Sequence, residues 1–192
     1  MASIINASTS GVGGVITTAD NSGDLNIQSG GSTKIAVTSS GVAVTGLSKA
    51  SLPTGSVLQV VQGAYSTQVN NSTTTYADTG LTATITPTSA TSKILVFVSQ
   101  LFYKSAGNTQ NGVNTKVFRN STDLGQFTYV LGYTNSLLEV YVQATIQYLD
   151  SPATTSATTY KTQFANQTNA ASVGAQQGNI GSSTITLMEI AA

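Results

Sequence analysis

The chain has no cysteine, no histidine and no tryptophan, and only three prolines among its 192 residues. Without cysteine there can be no disulfide and no thiol chemistry. Without histidine, triads built on an imidazole base are excluded, and the commonest metal ligands are gone with both. Charge is scarce as well: charged residues make up 7%, against roughly a quarter of an average globular domain. Seven basic and seven acidic residues cancel, so there is no electrostatic footprint for nucleic acid. Apolar runs are short, the longest being 94–98, far less than a bilayer span needs. The opening MASIINASTS lacks the basic and apolar regions of a secretory signal, and none is expected. These absences lead us to expect no cofactor, no metal, no nucleic-acid partner and no membrane insertion.

What remains is Ser, Thr, Asn, Gln, Gly and Ala around a hydrophobic content of 40%. Disordered chains combine low hydrophobicity with high net charge, so the bulk of this one should fold. Hydroxyls and amides must wet its surface in place of charges. Threonine favours strands, and Ser, Asn and Gly favour the tight turns between them.

Residues 75–104 set the pattern. Leu81, Ala83 and Ile85 alternate with Thr82 and Thr84, the period of a half-buried strand. Pro87, Ser89 and Ser92 supply a turn. From Ile94 to Tyr103 the chain is apolar on both faces apart from Ser99 and Gln100, which predicts a strand covered on both sides. The last strand is similar, with Ile185 and Leu187 on one face and Met188 and Ile190 on the other. In 139–150, Val140, Val142, Ala144, Ile146 and Tyr148 share one face. Further strands are predicted at 57–62, 76–77, 81–86, 113–119, 126–131, 137–149 and 159–165. Asp78 and Asp150 read as turn formers. Lys93, Lys104, Lys116 and Arg119 read as the solvated face of a sheet, or alternatively as a basic patch for an acidic glycan. No stretch has helical spacing, so the domain is all-β.

Ahead of it, residues 13–47 are short β pieces cut by Gly and Ser. Their apolar residues come in pairs: Leu25 with Ile27, Ile35 with Val37, Val42 with Val44. Such pieces bury too little alone, but three copies wound about one axis could pool them into a shaft core. The alternative is a β-meander lying on the following domain. Residues 48–55, with Pro53 and Gly55, read as the linker, and 56–192 as the head domain.

Residues 23–46, 55–67 (GSVLQVVQGAYST), 76–98, 150–164 and 183–192 (STITLMEIAA) together resemble the trimeric fibres of bacteriophage virions, especially those of marine and cyanobacterial phages. The resemblance implies a homotrimer with an antiparallel β-sandwich head, a jelly roll of the tumour-necrosis-factor type whose last strand lies near the three-fold axis. It implies that residues 1–12 anchor the protein to another virion protein, of capsid or tail. Only a dozen residues precede the first β piece, which suits a short fibre or a decoration on the capsid. On this reading Val57, Val60, Phe97, Leu101, Leu187 and Ile190 are core or trimer interface.

A catalytic reading has only carboxylates to work with. Glycoside hydrolysis needs two of them flanking one bond, and the head offers Asp78, Asp123, Glu139, Asp150 and Glu189, none in a recognisable motif. We therefore expect a non-enzymatic protein, with a carbohydrate-cleaving spike as the alternative of another class. Sugar binding without cleavage would draw on Tyr103, Tyr129, Tyr133, Tyr141 and Tyr160, and on the polar loops 105–112, 132–136 and 166–183. For Tyr129 and Tyr141 the plainer reading is packing at a core edge. The expected role is a surface-exposed virion appendage that presents its head to a host glycan or protein, with a capsid decoration protein as the nearest rival.

Overall fold

A computed structural model describes residues 25–45, 52–107, 110–168, 172–178 and 182–192. The chain divides into two compact units, Met1–Ser48 and Lys49–Ala192. The segment 1–12 expected to anchor the protein, residues 13–24 and 46–47 of the expected shaft, and 48–51 of the linker lie outside the described residues.

In the first unit, β1 (Leu25–Ser29), β2 (Ser32–Thr38) and β3 (Gly41–Val44) form an antiparallel meander. Gly30 and Gly31 turn the first hairpin with φ of 59° and 75°, a left-handed pair that only glycine adopts cheaply. The register puts Leu25 opposite Val37 and Val37 opposite Val42. In the next row Ile27 faces Ile35 and Ile35 faces Val44. Directly paired residues share a face, so all six residues expected in a shaft core stand on one side of this sheet in two rows. On that side Leu25, Ile27, Val42 and Val44 are exposed.

The second unit packs two antiparallel sheets into a sandwich. One contains β4 (Val57–Tyr65), β13 (Ser183–Ile190), β7 (Lys93–Lys104) and β10 (Val140–Asp150), in that order. Its far end is extended by β12 (Val173–Ala175) and β5 (Val69–Asn71). The other sheet has the order β6 (Ala77–Ile85), β11 (Thr158–Asn166), β8 (Asn111–Arg119), β9 (Thr122–Thr134). Every one of these elements is a strand, and there is no helix among the described residues.

The sequence periods explain the packing. Leu81, Ala83 and Ile85 from β6 meet Ile94, Val96 and Val98 from β7, with Val117, Ile146, Tyr160, Ile185 and Leu187, in one apolar cluster. Phe102, Val113, Ala144, Phe164, Val173 and Ala175 form a second. Polar residues are buried with them, Thr79, Gln100, Thr115, Thr162 and Gln176 among them. Thr79 and Thr162 pair their hydroxyls at 2.6 Å, and Thr115 and Thr128 at 2.7 Å. With its amide nitrogen turned to the carbonyls of Ala175 and Thr79, Gln176 accepts from Gln100 Nε2 at 2.6 Å.

Several elements differ from expectation for identifiable reasons. The segments predicted at 76–77 and 81–86 are one strand, β6. Gly80 takes φ of 86°, and the pairing with β11 jumps from Lys161–Thr82 to Gln163–Asp78, so the turn signal marks a bulge. A Cβ at Gly80 would run into the Tyr65 ring. The strand predicted from Leu137 begins at Val140, because the carbonyls just before it are engaged elsewhere. β5 and β12 have three residues each and no apolar alternation for the sequence to display. The last strand lies between β4 and β7, so its edges are paired within the chain.

Candidate functional site

The outer side of the β4–β13–β7–β10 sheet can be laid out row by row from the register. Val60 faces Met188, Met188 faces Leu95, and Leu95 faces Leu149, an apolar row across four strands. The next row is Gln62, Thr186, Phe97 and Gln147, and the one after it Ala64, Thr184, Ser99 and Thr145. Leu101 with Gln143 follows, then Tyr103 with Tyr141. Val57 pairs with Ile190 at the opposite end. Val57, Val60 and Leu149 are 50%, 56% and 50% exposed, and Leu95, Phe97, Leu101, Met188 and Ile190 are half-buried.

The predicted interface set therefore divides. Val60, Phe97, Leu101 and Ile190 stand on this outer side, with Val57 paired to Ile190. Leu187 points the other way, into the sandwich, fully buried beside Ile185. Between Met188 and Ile190, Glu189 also points inward and is fully buried, a role the sequence did not disclose. It accepts from Gln59 Nε2 at 2.6 Å and from the amide and hydroxyl of Thr88 at 2.7 Å each. Burial alone would raise its pKa, but these donors and Ser92 outweigh burial and hold the carboxyl below its ordinary range.

The outer side of the β6–β11–β8–β9 sheet is of another kind. It carries Thr82, Thr84, Thr159 and Gln163, with ion pairs Lys161–Asp78 at 2.8 Å and Lys116–Asp123 at 2.6 Å. Lys116 also lies 4.6 Å from the centre of the Tyr76 ring. Asp123 is held low by its bond from Lys116, and Asp78 by Lys161 and Gln163 against the opposing effect of burial.

The four cations expected on one face are dispersed instead. Lys116 and Arg119 belong to one sheet, Lys93 and Lys104 to the other. Arg119 grips Asp150 with 2.8 Å bonds to both carboxylate oxygens, and Tyr160 donates to the same carboxylate at 2.6 Å. Asp150 thus closes β10 and ties the two sheets together, where the sequence suggested a turn former. Asp78 likewise sits inside β6, bound to Lys161 and Gln163. Burial first, and then the bond to Asp150, push the Tyr160 hydroxyl far above its usual value.

Lys104 is buried, and its ammonium donates to the carbonyls of Ser136 at 3.2 Å and Leu138 at 2.9 Å. Gly107 N–H takes the carbonyl of Leu137 at 3.2 Å, and Gln110 N–H that of Thr134 at 2.8 Å. Gln167 N–H bonds Gly112 O, and Ser105 N–H bonds Ser172 O. The described parts of the three loop regions singled out in the sequence thus gather at one end of the sandwich. With three successive carbonyls turned inward, Leu137 and Leu138 project outward, 62% and 67% exposed.

The five tyrosines considered for sugar contact do not converge. Tyr160 is core. Tyr103 is buried, bonded to Gln68 and Asn70 and set 5.9 Å from Tyr141 by ring centres. Tyr129 and Tyr133 project from β9, and Tyr129 is 73% exposed, so it is no packed core-edge residue. The next residue, Val130, takes φ of 56°, a strained conformation for a β-branched side chain. Asn114 Oδ1 holds it by accepting from its N–H at 2.8 Å.

Two surface hollows, of about 250 and 170 Å³, are smaller than ligand pockets usually are. Among the described residues no group of three or more acidic side chains could hold a metal. What the unit offers a partner is surface: one apolar sheet face, and one apolar edge and end.

The chain is an all-β protein built on antiparallel sheets in a sandwich-like arrangement. No protein-family model matches it, and no curated protein does. Among solved structures it is similar to the infectious bursal disease virus VP2 subviral particle, with 8% identity and a TM-score of 0.40, over 71% of this chain and 39% of that one. Infectious bursal disease virus Gt strain gives 9% and 0.37, over 70% and 38%, and the Gx strain 12% and 0.37, over 70% and 37%. The chain thus spans about two fifths of the length of each.

Proposed function

We propose that the protein is a structural component of a bacteriophage virion: a homotrimeric, fibre-like appendage on capsid or tail that presents its sandwich head for attachment to a host surface. One observation carries the reading. Among the described residues, each unit has a sheet face whose apolar side chains stand exposed or half-exposed, in a protein with almost no charge to make such faces soluble. Two rows of aliphatics in the first unit and the Val60–Met188–Leu95–Leu149 row in the second need partners. A second and a third copy supply both at once, and closed cyclic symmetry is the usual solution.

The strand pairing supports a jelly roll. Counting the eight long strands in order, the first pairs with the eighth (β4–β13), the second with the seventh (β6–β11), the third with the sixth (β7–β10), and the fourth with the fifth (β8–β9). A long hairpin rolled up on itself gives this nesting. The sequence resemblance to phage fibres adds the virion context, with residues 1–12 as the anchor to another virion protein.

The mechanism is presentation. Three identical, individually weak surfaces held rigidly engage a repetitive host surface by avidity. We expect neither a cofactor nor catalysis, and the engagement of Asp78, Asp123, Asp150 and Glu189 by donors of their own chain supports that expectation. A decoration protein that stiffens the capsid without binding a host would share the same architecture. Light scattering of the full chain tests the assembly: three times the 19.6 kDa chain mass is expected, and a monomer would overturn the reading. Binding of the purified trimer to host cells, against none, separates attachment from decoration.

A further inference from the structure

The interior of the head is divided. One cluster of eleven buried residues, with Leu81, Val96 and Leu187 among them, fills the near end, where β4 begins and β13 finishes. A second cluster of six, with Phe102 and Phe164, fills the far end, closed by β5 and β12. Four strands contribute to both clusters. On three of them the inward residues run apolar, polar, apolar: Val98–Gln100–Phe102, Tyr160–Thr162–Phe164 and Val117–Thr115–Val113. The fourth, β10, passes from Ile146 to the small Ala144. Gln100, Thr115 and Thr162 have no exposed surface at all. With Thr79, Thr128 and Gln176 they form a polar belt across the sandwich. Its side chains bond to one another, Thr79 to Thr162, Thr115 to Thr128 and Gln100 to Gln176.

Polar satisfaction changes across this belt. At the near end the buried carboxylates of Glu189 and Asp150 each have several donors. Gln100 Oε1 in the belt, and Asn111 Nδ2, Gln167 Oε1 and Gln177 Oε1 beyond it, are buried without a hydrogen-bond partner. Among the described residues no such atom lies at the near end. A buried polar atom left unpaired favours any opening that lets water reach it.

We infer that the far end of the head opens as a unit of its own while the near end stays folded, with the belt as the boundary. The far cluster is the smaller, so less apolar burial holds it closed. Opening it uncovers hydroxyls and amides that water satisfies, and the near cluster stays sealed beneath them. A continuous apolar core has no such boundary, because parting it anywhere wets aliphatic surface. A head built this way keeps one rigid end and one that adjusts to a partner, since moving elements are drawn from regions of low local stability. The inference concerns the single head and stands apart from the assembly proposed above.

Hydrogen exchange of the full-length protein, read by mass spectrometry over a series of urea concentrations below unfolding, tests this. Strand amides at 101–104, 164–166 and 173–175 are compared with those at 94–98, 159–161 and 185–188. The far set is expected to exchange faster by one common factor and with a common urea dependence, as a single opening unit does. Exchange of both sets together, or of the far set more slowly, would overturn the inference. So would far amides that exchange at unrelated rates without urea dependence, which is fraying. Thr115→Val with Thr128→Val removes both partners of one belt bond, a replacement that costs little stability. It should narrow the difference between the two sets, and an unchanged difference would show that the belt is not the boundary.

Discussion

The two outer faces of the sandwich differ in a way that the two inner faces do not. Inward, both sheets present aliphatic and aromatic side chains, with threonine hydroxyls satisfied in pairs. Outward, β6–β11–β8–β9 shows Thr82, Thr84, Thr159 and Gln163 with two surface ion pairs. The outer β4–β13–β7–β10 side instead shows Val60, Met188, Leu95, Leu149, Phe97 and Leu101. Of the ten charged side chains in the head, Asp78, Lys116, Asp123 and Lys161 lie on the first of these sides and Arg119 and Asp150 tie the sheets together. The lesson is that in a low-charge protein the position of the few ion pairs tells which side faces water.

Substitutions can break this contrast. Val60→Asp with Leu149→Asp puts two charges into the apolar row. Each buried unpaired charge costs several kcal/mol, so the head contacts are expected to fail, seen as loss of mass in light scattering or a steep fall in melting temperature. Thr84→Asp alone on the other side should leave the mass unchanged and lower the melting temperature far less. Second in size is Arg119→Met, which leaves Asp150 buried beside Tyr160 without its cation. Breaking such a pair by removing one partner costs about 3–5 kcal/mol, and thermal melting should show most of it.

Acid sharpens the picture further. Glu189 has a folded-state pKa below its unfolded value, so it contributes stability that is complete above the unfolded value, about 4.3. That contribution is lost as pH falls from there through the folded pKa, because protonation is easier in the unfolded chain. Glu189→Gln should flatten the acid limb of a stability–pH curve measured by denaturant titration. The smallest effect belongs to the wet side. Lys116→Ala removes a surface pair and should lower the melting temperature least of all, an effect that fades with added salt.

Much of this architecture was legible in the sequence, and the legible part follows periodicity. The alternation in 81–85 and 140–148 groups the inward residues correctly, and the pairs in 25–44 fall on one face because turns at Gly30–Gly31 and before Gly41 hold the register. Illegible were the contacts between residues distant in the chain. Nothing near Asp150 announces Arg119, 31 residues away, and nothing near Glu189 announces Thr88, 101 residues away. Lys104 looked like a solvated cation because its partners are backbone carbonyls, which any sequence supplies. For the same reason Leu137 and Leu138 read as the start of a strand. Alternation put Leu187 and Ile190 on opposite faces, but with both faces apolar it did not show which one turns inward; the burial of Leu187 and Glu189 does.

The most direct test of the contrast is the reactivity of single cysteines in this cysteine-free chain. Full-length Val60→Cys and Thr84→Cys, in the native state and in denaturant, would be labelled with a maleimide and their rates compared. If the β4–β13–β7–β10 face is covered in the assembled protein, Val60→Cys is strongly protected in the native state, Thr84→Cys reacts freely, and denaturant makes the two alike. Equal native rates would mean that the apolar face lies open to water, and the account would be wrong.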